Sequence, residues 1–334
     1  MITAADLEYH HSDTADHTWA ETYYLPISVP EERLFAHVYV VVRPVLGTMQ
    51  NDIRVHGSVS STEFELLYID SQNHLPAPER FSQLHGPNGL SVVAVNPPRD
   101  YRVDYVGRDG TEIHVDMIGI MQPFDINDPA ENPFTGTTEE EKLANTSMGS
   151  GYKGHYDMHC RVTGTLKVRG KEYAVDIVDR MNHSWGPRPE MEIPPMNSVW
   201  AQFGEDLGLR FHMHLDPAQE TGQDQRFANG YVLDKGEVFA IKDLDMTTTR
   251  VGIVPVTIDV EATDIRDKKF RLRGVPIAGG PWRAYAPCIC WIGLIQWEHN
   301  GVIGHGSIQE NHALGVETRL RGRRWSDRIA ALTA

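Results

Sequence analysis

The segment Asn182-His183-Ser184-Trp185-Gly186-Pro187-Arg188 sets an imidazole, an indole and a guanidinium close together in mid-chain. In an extended segment His183 and Trp185 share a face. The imidazole can move protons near neutral pH, and the indole can wall an apolar pocket. A core tryptophan beside a hydrogen-bonded histidine fits the same residues. Upstream, His155-Tyr156-Asp157-Met158-His159 places His155, Asp157 and His159 on one strand face and Tyr156 on the other. A carboxylate beside an imidazole orients the ring and stabilises its cation, which makes an acid/base pair. A solvated strand edge has the same pattern. His212-Met213-His214 puts two imidazoles on one face, roughly 6–7 Å apart at Cα. β-Proteins grip metals with that spacing; a third ligand would have to come from His159, Glu310 or His183 through folding. A polar pocket lining is the other reading. Near the end, His305 and Glu310 follow Trp282, Trp291 and Trp297, whose rings either wall a cationic intermediate or fill a core. Trp19 and Glu21 share strand parity, and Glu21 is expected to tie the first strand to Arg188 or Arg43.

The elements that carry these residues are strands. Period-two runs cover Phe35 to Arg43, Arg54 to Val59, Glu63 to Ile69, Leu90 to Val95, Tyr101 to Val106 and Thr111 to Ile120, split by Gly, Asn, Pro and Asp. Regular spacing with turn signals predicts an antiparallel sandwich or barrel. From Gln122 to Gly151 the composition turns to Pro, Asn, Asp, Thr and Gly, with a short helix expected over Glu139 to Asn145. A long irregular stretch of this kind is a lid, a connector or a disordered loop, and a domain boundary is placed at its end. The second half resumes the pattern, from Tyr156 to Val168 through Gly301 to Gln309. Val168-Arg169-Gly170-Lys171 and Asp234-Lys235-Gly236-Glu237 read as hairpin turns. Gly186-Pro187 stops helix and central strand alike, so the segment that follows the strand-like run Lys171 to Val178 is expected to be a strand end breaking into a fixed turn.

The chain has 334 residues, a formal net charge of −15 and three cysteines. That length suits two ordinary domains. The acidity disfavours nucleic acid and anionic membrane as partners, since both reward clustered Lys and Arg. The basic cluster Arg321-Gly322-Arg323-Arg324 reads as a solvated end. Few cysteines and no visible signal segment imply a reducing, cytoplasmic setting, with Cys288 and Cys290 as core residues. No apolar run is long enough to insert in a membrane. No dinucleotide fingerprint, phosphate loop, CxxC pair or Gly-x-Ser-x-Gly elbow is present. The chemistry is therefore expected to need no cofactor and no metal.

Taken with Gly154-His155-Tyr156-Asp157 and Gly304-His305-Gly306, the His-Ser-Trp-Gly-Pro-Arg motif resembles the hydroxyneurosporene-synthase-like family of carotenoid 1,2-hydratases, AttH-like proteins and, more distantly, fungal prenyl hydratases and Diels–Alder cyclases. Trp19-Ala20-Glu21-Thr22-Tyr23-Tyr24 resembles the start of the uncharacterised bacterial branch. The resemblance implies two lipocalin-like β-barrel or sandwich domains packed side by side, here 1–150 and 151–334, with an apolar pocket. In carotenoid hydratases, it further implies, a His-x-Trp is paired with a Tyr-x-Asp on a following strand. Here the first half is His183-Ser184-Trp185, but Trp200-Ala201-Gln202 and His212-Met213-His214 stand where the second would be. The acid is then assigned to Asp157.

The expectation is a lyase or isomerase acting on a small lipophilic terpenoid, prenylated or polycyclic substrate. A protonated His183 or Asp157 would give a proton, and burial would keep Asp157 protonated. His155 or Tyr156 would orient water or take the proton back. Trp185, Trp200, His212, His214, Glu310 and Trp19 would line the substrate site. Two alternatives stand beside it: a carrier of an apolar ligand with no turnover, and a metal-dependent hydrolase or lyase on His212 and His214. Open-edged β units of this kind also pair, so a homodimer is an expected state.

Overall fold

The chain forms strands almost throughout: outer ones such as Asp100–Val106 alternate in burial, whereas Trp19–Val29, Leu34–Arg43 and Met196–Gln202 are buried along nearly their whole length because both faces are covered. The computed structural model describes residues 1–10, 15–189, 193–219, 222–319 and 330–331. Within them the strands are β1 (Trp19–Val29), β2 (Leu34–Arg43), β3 (Thr48–His56), β4 (Tyr68–Pro76), β5 (Gln83–His85), β6 (Leu90–Asn96), β7 (Asp100–Val106), β8 (Glu112–Gly119), β9 (Phe124–Asp125), β10 (Gly154–Val168), β11 (Lys171–Pro187), β12 (Met196–Gln202), β13 (Leu207–Leu215), β14 (Gln225–Asp234), β15 (Glu237–Val251), β16 (Val254–Asp264), β17 (Lys269–Tyr285), β18 (Cys288–His299) and β19 (Val302–Ala313). The cluster at Arg321 to Arg324 lies outside the described residues.

β12 to β19 close in sequence order into an eight-stranded antiparallel barrel. The other eleven strands form one curled half-barrel sheet, ordered β4-β3-β2-β1-β11-β10-β8-β7-β6-β5, with β9 beside β10. The expected all-β architecture of two lipocalin-like units side by side is therefore what the chain adopts. The sheets change over between Pro187 and Met196, however, not near residue 150 where the composition shifts. The long hairpin β10–β11 fills the gap between β1 and β8, pairing Tyr23 with His183 on one side and Cys160 with Gly119 on the other. Without it both neighbours would present unpaired edges.

The same pairing carries β11 straight through the His-Ser-Trp motif. Gly186-Pro187 ends the strand after the motif, as expected, and the run foreseen to Val178 continues without a break to Pro187. The run expected over Glu63 to Ile69 instead divides into a 3₁₀ turn, Glu63–Glu65, capped by Thr62, and the start of β4. Both predicted hairpin turns are present. Arg169 (φ 49°) and Gly170 (φ 85°) join β10 to β11, and Lys235 and Gly236 join β14 to β15. Two successive positive φ values match the right-handed strand twist.

Three apolar layers result. Tyr23, Leu25, Tyr156, Met158 and Met181 fill the concave face of the sheet. Val199, Phe211, Trp291 and Trp297 fill the barrel. Ala20, Tyr24, Tyr39, Trp282 and Tyr285 pack at the seam between sheet and barrel, where the Tyr39 and Tyr285 hydroxyls meet at 2.8 Å. The segment between β9 and β10 holds a short helix, α1 (Glu139–Ala144), capped by Thr138. The three cysteines are free and buried. Among the described residues no helix is long and apolar enough to cross a membrane.

Candidate functional site

Strand alternation splits the chemistry-bearing residues between the two faces of β10 and β11. Tyr156 and Met181 lie in the concave core. His155, Asp157 and His159 turn the other way, toward the barrel, where Asp157 meets Arg210 of β13 and His159 meets Gln202 of β12. Cross-strand register sets Tyr156 against His183 and Asp157 against Asn182. His183 packs on Tyr23 and Phe81 and so belongs to the concave face. The four expected catalytic residues are therefore two pairs, His155 with Asp157 and Tyr156 with His183, on opposite sides of one sheet.

At the seam His155 Nε2 donates to Asp157 Oδ2 at 2.9 Å, both residues being fully buried. The carboxylate can only accept, so it fixes the proton on Nε2 and leaves Nδ1, which has no partner, with its lone pair. Arg210 contacts the same Asp157 oxygen and lies 3.0 Å from the ring nitrogens of His212. Burial pushes the Asp157 carboxyl up, but Arg210 and His155 outweigh it and hold it below the usual carboxylate range. The expectation of an acid kept protonated by burial fails because Arg210 supplies the counter-charge. Burial lowers His155, opposed by Asp157. It lowers His212 further, with Arg210 adding to the effect. Tyr152 stacks on His155 with ring centres 4.2 Å apart. Trp200 closes the neighbouring wall, 5.0 Å from the His159 ring and 5.2 Å from the Arg180 guanidinium.

Beside this cluster lies a cavity of about 40 Å³, lined by Thr22, Tyr24, Tyr152, Ser184, Arg188 and Ser198 among others. Its wall is more polar than the apolar pocket expected. Arg188 donates to Ser184 Oγ at 2.9 Å and keeps Nη1 unpaired. The buried Arg180 donates to Ser198 Oγ at 3.2 Å, and its Nε and Nη2 have no partner. Met148 and Tyr152 reach the cavity from the irregular segment before β10.

On the concave face His183 Nδ1 donates to the Thr22 carbonyl at 2.9 Å. Its Nε2 faces Glu21 Oε2 at 3.5 Å. Glu21 is fully buried and reaches neither Arg188 nor Arg43. Its Oε1 accepts from Trp19 Nε1 at 3.1 Å and from the His10 backbone N–H at 2.9 Å. His10 Nδ1 stands 3.3 Å from Oε2. Trp185 lies flat on His10, ring centres 3.7 Å apart. It also occupies the space over Gly154, where an added Cβ would stand 1.9 Å from the indole. Burial pushes His183 down to about 3, which favours the neutral ring over the protonated donor of the sequence reading.

The remaining residues lie apart. Glu310 sits inside the barrel, bound by Arg250 at 2.7 Å and Asn197 at 2.9 Å, and does not reach either cluster. Burial opposes its charge, but Arg250 prevails and holds it down to about 2. His214 shares the face of His212 but is half-buried at the strand end and joins no candidate ligand group. His305 borders a separate surface groove with Arg161 and Glu205. Arg210 and His10 were not anticipated. Parity with His212 could have flagged Arg210. His10 precedes the first strand and carries no periodic signal.

Residues 3–313 match the family described as "Domain of unknown function (DUF7064)". No curated protein matches the chain. Two solved structures share its fold across most of their length. Kievitone hydratase from Nectria haematococca covers 90% of this chain and 92% of its own at a TM-score of 0.52 and 10% identity. CghA covers 89% and 88%, at 0.54 and 11%. Identities this low carry architecture and no residue roles. By the extent of its match, the chain belongs to the DUF7064 family.

Proposed function

We propose that this protein is a lyase of the hydratase or dehydratase type that acts at the seam on a small lipophilic substrate bearing an oxygen function. The observation that carries this reading is the single free nitrogen of His155. Asp157 fixes the tautomer, Arg210 keeps Asp157 ionised, and Nδ1 is left as a buried base. In dehydration, Nδ1 takes a proton from a carbon adjacent to an oxygen-bearing one. The same ring then returns it to the departing hydroxyl, so that water leaves and the base is restored. Unpaired N–H groups of Arg180 and Arg188 suit the charge that develops on a neighbouring carbonyl or phenol oxygen. Those proton transfers need no cofactor.

The polar wall favours an oxygenated prenyl or polycyclic substrate over a plain polyene. This agrees with the missing Tyr-x-Asp of the carotenoid hydratases, and the fold shared with a kievitone hydratase supports the reaction class. A site of this kind needs roughly 300 Å³ or more. Substrate entry therefore requires Met148 and Tyr152 to swing out with their segment. The metal alternative on His212 and His214 is disfavoured at the seam, where Arg210 already holds the cation position between Asp157 and His212.

The test is to incubate the protein with prenylated phenols and hydroxylated polycycles and to follow gain or loss of one water by mass spectrometry. Turnover that disappears in His155→Ala supports the proposal. Compounds that bind tightly and are recovered unchanged would mark a carrier instead.

A further inference from the structure

The seam chemistry leaves the concave cluster unused, although burying two imidazoles and a carboxylate together needs a reason. We propose that His10, Glu21 and His183 form a binding site for one divalent transition-metal ion of the zinc type. This goes beyond the proposed lyase reaction and does not depend on it.

Geometry is the first support. A tetrahedral ion with arms of about 2.0–2.1 Å sets its donor atoms about 3.3–3.4 Å apart. Glu21 Oε2 lies 3.3 Å from His10 Nδ1 and 3.5 Å from His183 Nε2. All three donor atoms fall within 4.8 Å of one another. Two imidazole nitrogens and one carboxylate oxygen are a donor set for zinc, iron(II) and their neighbours, with a position left over for water.

Two of the three donors are also held on their outer side, as in metal sites generally. His183 Nδ1–H is committed to the Thr22 carbonyl, which turns the Nε2 lone pair inward. Behind His10 the Asp6 carboxylate stands 3.8 Å from Nε2, near the ring but without a hydrogen bond to it. Trp19 and the His10 backbone N–H hold Glu21 Oε1, leaving Oε2 to face both rings.

The third support is a mismatch that a cation removes. In the neutral ring His183 Nε2 is an acceptor, it is buried without a hydrogen-bond partner, and a carboxylate oxygen, also an acceptor, faces it at 3.5 Å. No Lys or Arg is recorded against Glu21 among the described residues. A bound cation would satisfy both acceptors at once. His10 retains side-chain exposure of 21%, which gives an ion a way in past the Trp185 stack.

Protein purified without a histidine tag and stripped with a chelator should be titrated with zinc(II) by calorimetry, with metal content checked by elemental analysis. The proposal expects one zinc per chain. Glu21→Gln and His10→Gln should weaken binding by more than the roughly 10–100-fold that loss of a supporting contact costs, whereas His212→Gln, at the seam, should leave it unchanged. His10 is partly exposed, so its variant disturbs the core less than the buried Glu21→Gln, and a melting curve for each variant separates lost binding from lost folding. No stoichiometric uptake by the wild type, uptake unaltered in His10→Gln, or uptake abolished in His212→Gln would each overturn the site.

Discussion

Two imidazoles and a carboxylate meet on each face of the β10–β11 hairpin, and the two clusters differ by one side chain. At the seam His155, Asp157 and His212 surround Arg210. On the concave face His10, Glu21 and His183 have no basic neighbour recorded among the described residues. A resident guanidinium supplies the carboxylate's counter-charge, repels other cations and leaves a histidine free as a base. Without it, the same groups present an inward-facing ligand set. Ligand type alone therefore does not decide between proton chemistry and metal binding; the charge already present does.

The comparison breaks first, and most heavily, at His155. Its replacement by alanine should cost about 10²–10⁴-fold in turnover, the range for a general base, and leave zinc uptake intact. Steady-state kinetics beside zinc titration reads both. Arg210→Met comes next. It strands a buried Asp157, which should cost about 3–5 kcal/mol of stability in urea unfolding. With the guanidinium gone, part of that loss should be recovered by added zinc, because the seam then resembles the concave face. A melting curve indifferent to zinc would show that Arg210 is not what separates the clusters.

The barrel's own ion network offers a control remote from both. Burial works against the charge on His312, but Glu310 and Glu317 outweigh it and raise its pKa to about 9. The unfolded value is about 6.5. Its contribution is therefore complete below that pH and is lost as pH rises through about 9, on the order of 3 kcal/mol in all. His312→Gln should flatten stability over that window and change neither turnover nor zinc binding at pH 7. The smallest effect is expected at Trp19→Phe, which removes the N–H that holds Glu21 Oε1. Zinc affinity should fall about 10–100-fold, seen by calorimetry, with seam activity unaltered.

Much of this was legible in the residues. Alternation exposed the strands, the hairpin turns stood out as Arg169-Gly170 and Lys235-Gly236, and parity within His155 to His159 assigned those side chains correctly to one face. What alternation cannot give is which face of a strand meets the barrel and which the concave core. His183 and Asp157 could therefore be joined on paper although a sheet separates them. Arg210 was hidden by attention to the two histidines on its strand. His10 lies before any periodic segment, where no pattern signals that its backbone N–H and ring meet Glu21. The changeover after Pro187 was masked because composition marks the irregular segment near 150, while hydrogen-bond pairing of β10 and β11 decides sheet membership.

The two-residue turn at Arg169 and Gly170 acquires a significance its position does not suggest. It closes the hairpin at Val168 and Lys171, far along the strands from either cluster. The turn acts as an indexing mark. It counts β11 against β10, and the count decides which side chains are shown to the barrel and which to the concave core. A slip of one residue would send every β11 side chain to the opposite face. His183 would be carried to the seam and Arg180 away from it, with no site residue altered. Lesions in this exposed corner would therefore read as loss of function at a distance, and selection on the turn is selection on both sites at once.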